Sequence, residues 1–255
     1  GDWILVKEDR EEGFIGYNQT DVTVSISRYR KIKNKDGDFF QLVFNKTPFY
    51  PEGGGQVGDI GTLENGKEQI SILDTKKENK VILHWTRDLP VDICAAFTAK
   101  VDKMVRQDIS CNHTATHLLH ESLRNILGTH VEQKGSLVSA DYLRFDFTHF
   151  AKLEKDQLQA IEDDVNNKIR QNINLEEHVG ISLSEAKKEG AIMLFGEKYE
   201  DLVRMIQFNN SKELCGGTHV ANTSELGIFS LQSESSISSG IRRIEACTSN
   251  KAYSY

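Results

Sequence analysis

The sequence lacks the features of membrane and secreted proteins. None of its apolar runs approaches the length of a bilayer-spanning helix. Its first residues, Gly1-Asp2-Trp3-Ile4, lack the basic start and long apolar core of a signal peptide. The four cysteines among 255 residues form no tight framework of the kind found in disulfide-rich secreted domains. These absences predict a cytoplasmic protein with reduced thiols and no membrane partner.

Positive charge is also scarce. The chain carries 31 basic and 38 acidic residues, a net charge of −7, whereas a protein that grips nucleic acid unaided is more often basic. Any RNA contact therefore needs a local patch or help from other domains. One basic run, residues 28–35, is predicted to be a solvated hairpin turn. A phosphate-facing patch is the alternative for this run.

Familiar catalytic motifs are incomplete. The glycines of residues 53–58 satisfy G-x-G-x-x-G, but the residues that follow do not open a helix, and no P-loop lysine is present. His113 and His117 have the spacing of a zinc protease motif, yet Thr114 stands where that motif carries its glutamate base. Dinucleotide binding and peptidase activity are therefore disfavoured.

Two separated pairs of residues carry the donor atoms that zinc favours. His113 and His117 lie four residues apart, one turn of the predicted helix 103–127, while Cys215 and His219 flank a glycine-rich loop. Either pair alone is weak, because ordinary helix histidines have the same spacing. Together, the two pairs predict a zinc site. His120 also follows His117 by three residues, but it lies almost two turns from His113, so we expect a packing or supporting role for it.

The predicted fold is α+β. Residues 1–95 are expected to form a small β-barrel, with a sandwich as the alternative, and residues 96–255 a domain whose helices pack on an antiparallel sheet. Strands are predicted at residues 22–26, 39–44, 69–73, 81–85, 142–147, 202–208, 227–231 and 241–246. Helices are predicted at residues 103–127, 152–172 and 184–189, the first with an apolar stripe that includes Ile126.

Several polar and glycine residues are candidates for a binding pocket. Three adjacent glycines, residues 53–55, predict a tight turn or a close approach, and Gln56 and Asp59 beside them make a pocket wall plausible. Arg144 and Asp146 share one face of a predicted strand and are expected to form an ion pair. Gly216-Gly217 predicts either backbone N–H groups for an oxyanion or a turn that spaces the ligands.

Six motifs in order along the chain resemble one family. HTATHLLH, HVEQKGS, LRFDF, GEKY, CGGTH and GIRRIEA resemble the editing domain of alanyl-tRNA synthetase, and TPFYPEGGGQVGD resembles the β-barrel that precedes it. Free-standing alanyl-tRNA editing proteins share both parts. The aminoacylation core of class II synthetases and the C-terminal domain have no counterpart in the motifs. The resemblance thus implies a fragment excised from a bacterial-type synthetase, with the remaining domains as partners.

The resemblance implies hydrolysis of tRNA(Ala) mischarged with serine or glycine. It assigns Zn²⁺ to His113, His117, Cys215 and His219, and catalytic roles in the pocket to Thr47, which would bind the serine hydroxyl, and Gln133. We add as candidate substrate-binding residues Gly54, Gly55, Gln56, Arg144, Asp146, Gly216 and Gly217. Two other hypotheses stay open: a zinc-stabilised tRNA-binding module without activity, and a zinc hydrolase for a small amide or ester.

Overall fold

The computed structural model describes residues 1–194 and 196–254. The chain divides into two compact units: residues 1–53 with 57–106, and residues 54–56 with 107 onward. The domain boundary predicted from the sequence, at residue 95, lies within the first unit. Within the described residues, no helix combines the length and the apolar content needed to cross a bilayer. All four cysteines are free, as predicted.

The first unit is built from two antiparallel sheets. Its strands are β1 (Ile4–Leu5), β2 (Asp21–Val24), β3 (Ile26–Asn34), β4 (Gly37–Phe44), β5 (Gly61–Glu64), β6 (Gln69–Ile72), β7 (Asp74–Glu78), β8 (Val81–Thr86) and β9 (Phe97–Val101). One sheet has the order β1-β3-β4-β8-β7 and the other β2-β9-β5-β6. Apolar residues of both sheets, among them Leu42, Leu63 and Phe97, share one buried core.

The prediction of a closed barrel is wrong for the described residues, because each sheet ends in edge strands. Strands β2 and β6 alternate exposed and buried side chains and so place one apolar face on a shared core, which two open sheets satisfy without closure. The basic run of residues 28–35 was also misplaced on a turn, since most of it lies in β3. There Arg28 pairs with Glu11, Arg30 with Glu78 and Lys31 with Asp38.

A polar triad lies inside this first core. His84 of β8 is completely buried and stacks on Phe44, with ring centroids 3.9 Å apart. Its Nδ1 lies 3.0 Å from the Leu42 carbonyl, which can only accept, so Nδ1 carries the proton. His84 Nε2 must then accept from the Thr47 hydroxyl at 2.7 Å. That hydroxyl in turn accepts the Phe49 N–H at 3.0 Å.

The second unit combines helices with two antiparallel sheets, which confirms the α+β class. Its helices are α1 (Lys103–Leu127, beginning in the first unit), α2 (Lys155–Arg170), α3 (Leu183–Lys188) and α4 (Ser249–Ala252). Its strands are β10 (Gln133–Val138), β11 (Leu143–Thr148), β12 (Glu176–Ser182), β13 (Leu202–Phe208), β14 (Ser211–Leu214), β15 (Phe229–Ser238) and β16 (Ile241–Thr248). The sheet orders are β10-β11-β16-β15 and β12-β13-β14.

Helix α1 is more deeply buried than an amphipathic pattern predicts. Every residue from 109 to 120 is buried, including the three histidines His113, His117 and His120. The polar members are satisfied by specific partners, such as Asn112 with the Ser139 carbonyl and Thr116 with the Asn112 carbonyl. Ile126, expected in the apolar stripe, is instead exposed in the last turn. Helix α2 buries Ile161, Val165 and Ile169, as its periodicity predicts.

The buried His84 predicts a loss of stability in acid. Burial lowers the pKa of His84 to about 3, against 6.5 for a free histidine. As pH falls below 6.5 the unfolded chain takes up a proton that the folded chain refuses. The free energy of unfolding should therefore fall by up to about 1.4 kcal/mol per pH unit from this group, until about pH 3.

Chemical denaturation of the chain between pH 7 and pH 4 measures this slope. The substitution His84→Gln should make the slope shallower, whereas His178→Gln, at a half-buried histidine of β12, should leave it unchanged. Equal slopes in wild type and His84→Gln would contradict the assignment.

Candidate metal centre

The two predicted ligand pairs come together in the second unit. His113 and His117 of α1 meet Cys215 and His219 of the loop after β14, and one donor atom from each lies within 4.8 Å of all the others. Cys215 Sγ is 3.4 Å from His113 Nε2 and 3.3 Å from His219 Nε2. Donors bound tetrahedrally to zinc at its usual bond lengths are roughly 3.3–3.8 Å apart. The sulfur lies at such a distance from two of the nitrogens, and the set of one sulfur and three nitrogens within 4.8 Å fits such an ion.

Each imidazole of the cluster is held by its other nitrogen. His113 Nδ1 lies 2.7 Å from Gln56 Oε1, and His219 Nδ1 lies 3.0 Å from the Thr114 hydroxyl. His117 Nδ1 faces Glu213 Oε2 at 3.1 Å, an ion-pair distance, although the angle is bent for a hydrogen bond. With the proton on Nδ1, each ring keeps the Nε2 lone pair for the centre, as metal-bound histidines usually do.

The cysteine loop is shaped around its sulfur. The Gly217 N–H donates to Cys215 Sγ at 3.3 Å, and Arg204 donates to the carbonyls of Cys215 and Gly217. A Cβ at Gly217 would stand 2.1 Å from the His113 ring, so no larger residue fits there. Since the Gly217 N–H is directed at the sulfur, the geometry favours the turn that spaces the ligands over the oxyanion alternative.

Burial shifts the pKa values of the four donor residues in directions that disfavour their charged forms. Burial lowers the pKa of His113 to about 3 and also lowers the pKa of His117 and His219, so the rings stay neutral. Burial raises the pKa of the Cys215 thiol to about 12, so a thiolate here requires a bound cation. Burial opposes ionisation of Glu213, but His117 and His120 outweigh it and lower its pKa to about 2.

A cavity of about 290 Å³ opens beside the cluster. His113, His117 and Cys215 line it together with Gln133. The Gln133 amide is half-buried and donates to the Ser136 hydroxyl at 3.1 Å. The cavity is large enough for a small group such as an aminoacyl ester next to the donor atoms. Its lining also includes three of the predicted glycines, Gly54, Gly216 and Gly217.

The glycine stretch contributes to this centre through a residue that supports a ligand. Gln56 is completely buried, accepts from His113 and the Thr218 N–H, and donates to the Thr218 hydroxyl. Gly55 has φ +84°, and a Cβ there would meet Ser136 Oγ at 2.2 Å. The expected close approach is therefore real, but Gln56 holds His113 instead of lining the cavity. Asp59 lies in the first unit, in a buried ion pair with Arg106.

Three further candidate residues, Thr47, Arg144 and Asp146, each have other surroundings in their own unit. Thr47 is in the first unit, where its hydroxyl is engaged by His84 and the Phe49 N–H. The predicted ion pair between Arg144 and Asp146 is wrong, because Asp146 accepts from Arg243 at 2.7 and 2.9 Å. Asp146 of β11 and Arg243 of β16 are directly opposite each other in the sheet. Their side chains therefore lie closer together than those of Arg144 and Asp146, which are two residues apart on one strand.

Glu213 and Thr114 are the functional neighbours that sequence reasoning missed. Thr114 looked like a lost catalytic base, yet its hydroxyl supports His219. Glu213 precedes Cys215 by two residues, a spacing that places both side chains on one face of an extended strand. That spacing, next to a predicted ligand, was the available signal. His120 has the predicted supporting role, since it bonds to Glu213 and is not a member of the donor cluster.

Comparisons with known proteins place this arrangement in a family. Residues 203–245 match the family "Threonyl and Alanyl tRNA synthetase second additional domain", and residues 4–105 match "tRNA synthetases class II (A)". The alanine–tRNA ligase of Christiangramia forsetii is 53% identical over 257 residues, covering 100% of this chain and 30% of that protein. That of Bacteroides fragilis is 54% identical over 248 residues, covering 97% and 28%.

The fold and the two matches define a class of protein. Its members join a segment of a class II tRNA synthetase to an additional domain, and in this chain the second unit carries a cluster of possible metal ligands. The chain belongs to the alanyl-tRNA synthetase family, as its motifs predicted. It spans about 30% of the length of the curated relatives it matches. The class II match extends through residues 4–105, where the motifs alone indicated only the preceding barrel.

The close approach at Gly217 predicts a sharp difference between neighbouring glycines. Gly217→Ala should displace the His113 ring and abolish stoichiometric metal binding, whereas a Cβ at Gly216 meets no atom within 4 Å, so Gly216→Ala should keep it. Elemental analysis of the purified variants after zinc loading measures this difference. Equal metal content in the two variants would contradict the proposed geometry.

Proposed function

We propose that this chain hydrolyses the ester of tRNA(Ala) mischarged with serine or glycine, acting as the editing region of a cytoplasmic alanyl-tRNA synthetase. The observation that carries the proposal is the cavity in which donor atoms of the metal cluster face Gln133. Family membership supplies the tRNA as context. The need for such an activity is physical, because a site for alanine cannot exclude the smaller glycine and rejects serine poorly.

The donor set supports zinc as the resident ion. His113, His117, Cys215 and His219 would hold it, with three neutral nitrogens and one sulfur within 4.8 Å of one another. When bound, zinc supplies a Lewis acid that polarises an ester carbonyl or orients a substrate group. His113 and His117 are buried, and this burial limits the access of bulk water to the donor cluster.

In this proposal, residues of the chain position the aminoacyl group. The amide of Gln133 can bind its polar atoms at the mouth of the cavity, next to the backbone of Gly54 and Gly216. Thr47 remains the candidate for selecting the serine hydroxyl. Its own proton is committed to His84, so it would act through its one remaining lone pair as an acceptor. Glycine would be accepted by size alone.

The acidic net charge assigns most tRNA affinity to other domains of the synthetase. A chain with charge −7 gains little from counterion release on its own. The tRNA would therefore be delivered by the remaining domains while this region supplies the hydrolytic site.

A tRNA-binding module with a purely structural metal is the second candidate. The observation in its favour is that four protein donors already fill a tetrahedral set. The Gly217 N–H also donates to the Cys215 sulfur, so this N–H group is not available to stabilise an oxyanion.

Release of serine from purified seryl-tRNA(Ala) separates the two candidates, with alanyl-tRNA(Ala) as the control substrate. We expect fast serine release with alanyl-tRNA spared, and loss of both zinc and serine release in Cys215→Ala. Zinc-loaded protein that releases no serine at high concentration would favour the binding module.

The position of Gln133 predicts a loss of rate without loss of metal. Gln133→Ala should lower serine release by about 10- to 100-fold, because one polar contact to the aminoacyl group is removed, and zinc content should stay stoichiometric. Gln232→Ala is the matched control, a half-buried glutamine at the opposite edge strand of the same sheet. An unchanged rate in Gln133→Ala would remove Gln133 from the site.

A further inference from the structure

Glu213 is a buried carboxylate placed between two histidines of α1. Its side chain points to the same side of its strand as Cys215, two residues on, and the residue is only 8% exposed. Oε2 lies 3.1 Å from His117 Nδ1, while Oε1 is hydrogen-bonded to His120 Nδ1. Both carboxylate oxygens thus face an imidazole nitrogen.

This carboxylate is the one charged partner among the Nδ1 contacts of the three ligand histidines. His113 has the Gln56 amide and His219 the Thr114 hydroxyl. A divalent cation held by one thiolate and three neutral imidazoles leaves one net positive charge in a buried place. Glu213 balances that charge, and a buried charge without an opposite partner is strongly unfavourable.

His120 fixes the other end of the carboxylate. It is 1% exposed and its ring packs on Phe145, with centroids 5.1 Å apart. An ionised carboxylate only accepts, so His120 donates from Nδ1, whereas His117 Nδ1 faces the other carboxylate oxygen at an ion-pair distance. His120 and His117 of α1 therefore contact the two carboxylate oxygens of Glu213 of β14, one histidine on each oxygen.

We propose that Glu213 and His120 are positioning residues of the metal centre. Glu213 holds His117 with its proton on Nδ1 and balances the charge of the bound ion, and His120 holds Glu213 in place. This inference rests on the metal centre of the proposed function, and it deepens that function by naming the residues that set the affinity of the centre.

The substitution Glu213→Gln tests the proposal on the full chain. An amide has one acceptor oxygen, so one of the two Nδ1–H groups must face an N–H group instead. We expect zinc affinity, measured by competition with a chelator, to fall about 10- to 100-fold. The visible absorption of the cobalt(II)-substituted protein should shift as the His117 ligand changes orientation.

Glu234→Gln is the matched control. Glu234 is also a buried carboxylate of the second unit, but it pairs with Arg242. This variant should lose stability while keeping wild-type zinc affinity and cobalt spectrum. Should Glu213→Gln fail to fold, the nitrogen-15 spectrum of the wild-type histidine rings decides, with protons expected on Nδ1 of both His117 and His120.

The outcomes are distinct. Wild-type zinc affinity and cobalt spectrum in Glu213→Gln, or a proton on Nε2 of His120, would overturn the inference alone. A zinc-loaded wild type that releases no serine would overturn the hydrolase and leave the inference standing. A wild type that binds no stoichiometric zinc would overturn the metal centre and the inference together.

Discussion

The arrangement of the second unit depends on three histidine rings, those of His113, His117 and His219. Each ring has a partner at Nδ1, so that its Nε2 can point toward the Cys215 sulfur. A ring free to flip would present N–H instead of a lone pair. The three Nδ1 partners come from distant parts of the sequence: Gln56 from the glycine stretch, Thr114 from α1 and Glu213 from β14. Three different elements must therefore be in register before four donors lie within 4.8 Å.

This constraint explains why α1 buries so many polar side chains. A helix with residues 109–120 all buried would ordinarily be apolar. Here several of the polar groups meet a specific partner, for example Ser110 with the Thr218 hydroxyl and Asn112 with Thr248. Such a polar core is stable only when its members are satisfied together. Burial also keeps the histidines neutral, so the same feature that shapes the helix supplies the ligand lone pairs.

The sequence predicted the ligands well and their supports poorly. Helix spacing and a Gly-Gly turn are local signals, so His113, His117, Cys215 and His219 could be found from their spacing. The long helix α1 has an apolar stripe and strand β13 is rich in apolar residues, and both lie where the sequence predicts them. Strand β10, with Gln133, has no clear alternation and was missed. The partners of Asp146 and Glu213 depend on strand register and helix facing, which no local pattern encodes.

Gln56 has a consequence for the order in which the protein assembles. Its bond to His113 closes a separation of 57 residues, and its bonds to Thr218 close one of 162. During synthesis the first unit, residues 1–53 and 57–106, is complete at residue 106, long before Cys215 and His219 exist. Domains synthesised first generally fold first, and such distant contacts form slowly. Gln56 therefore gains its partners only after most of the chain has been made, so the donor cluster is completed late in the maturation of the chain.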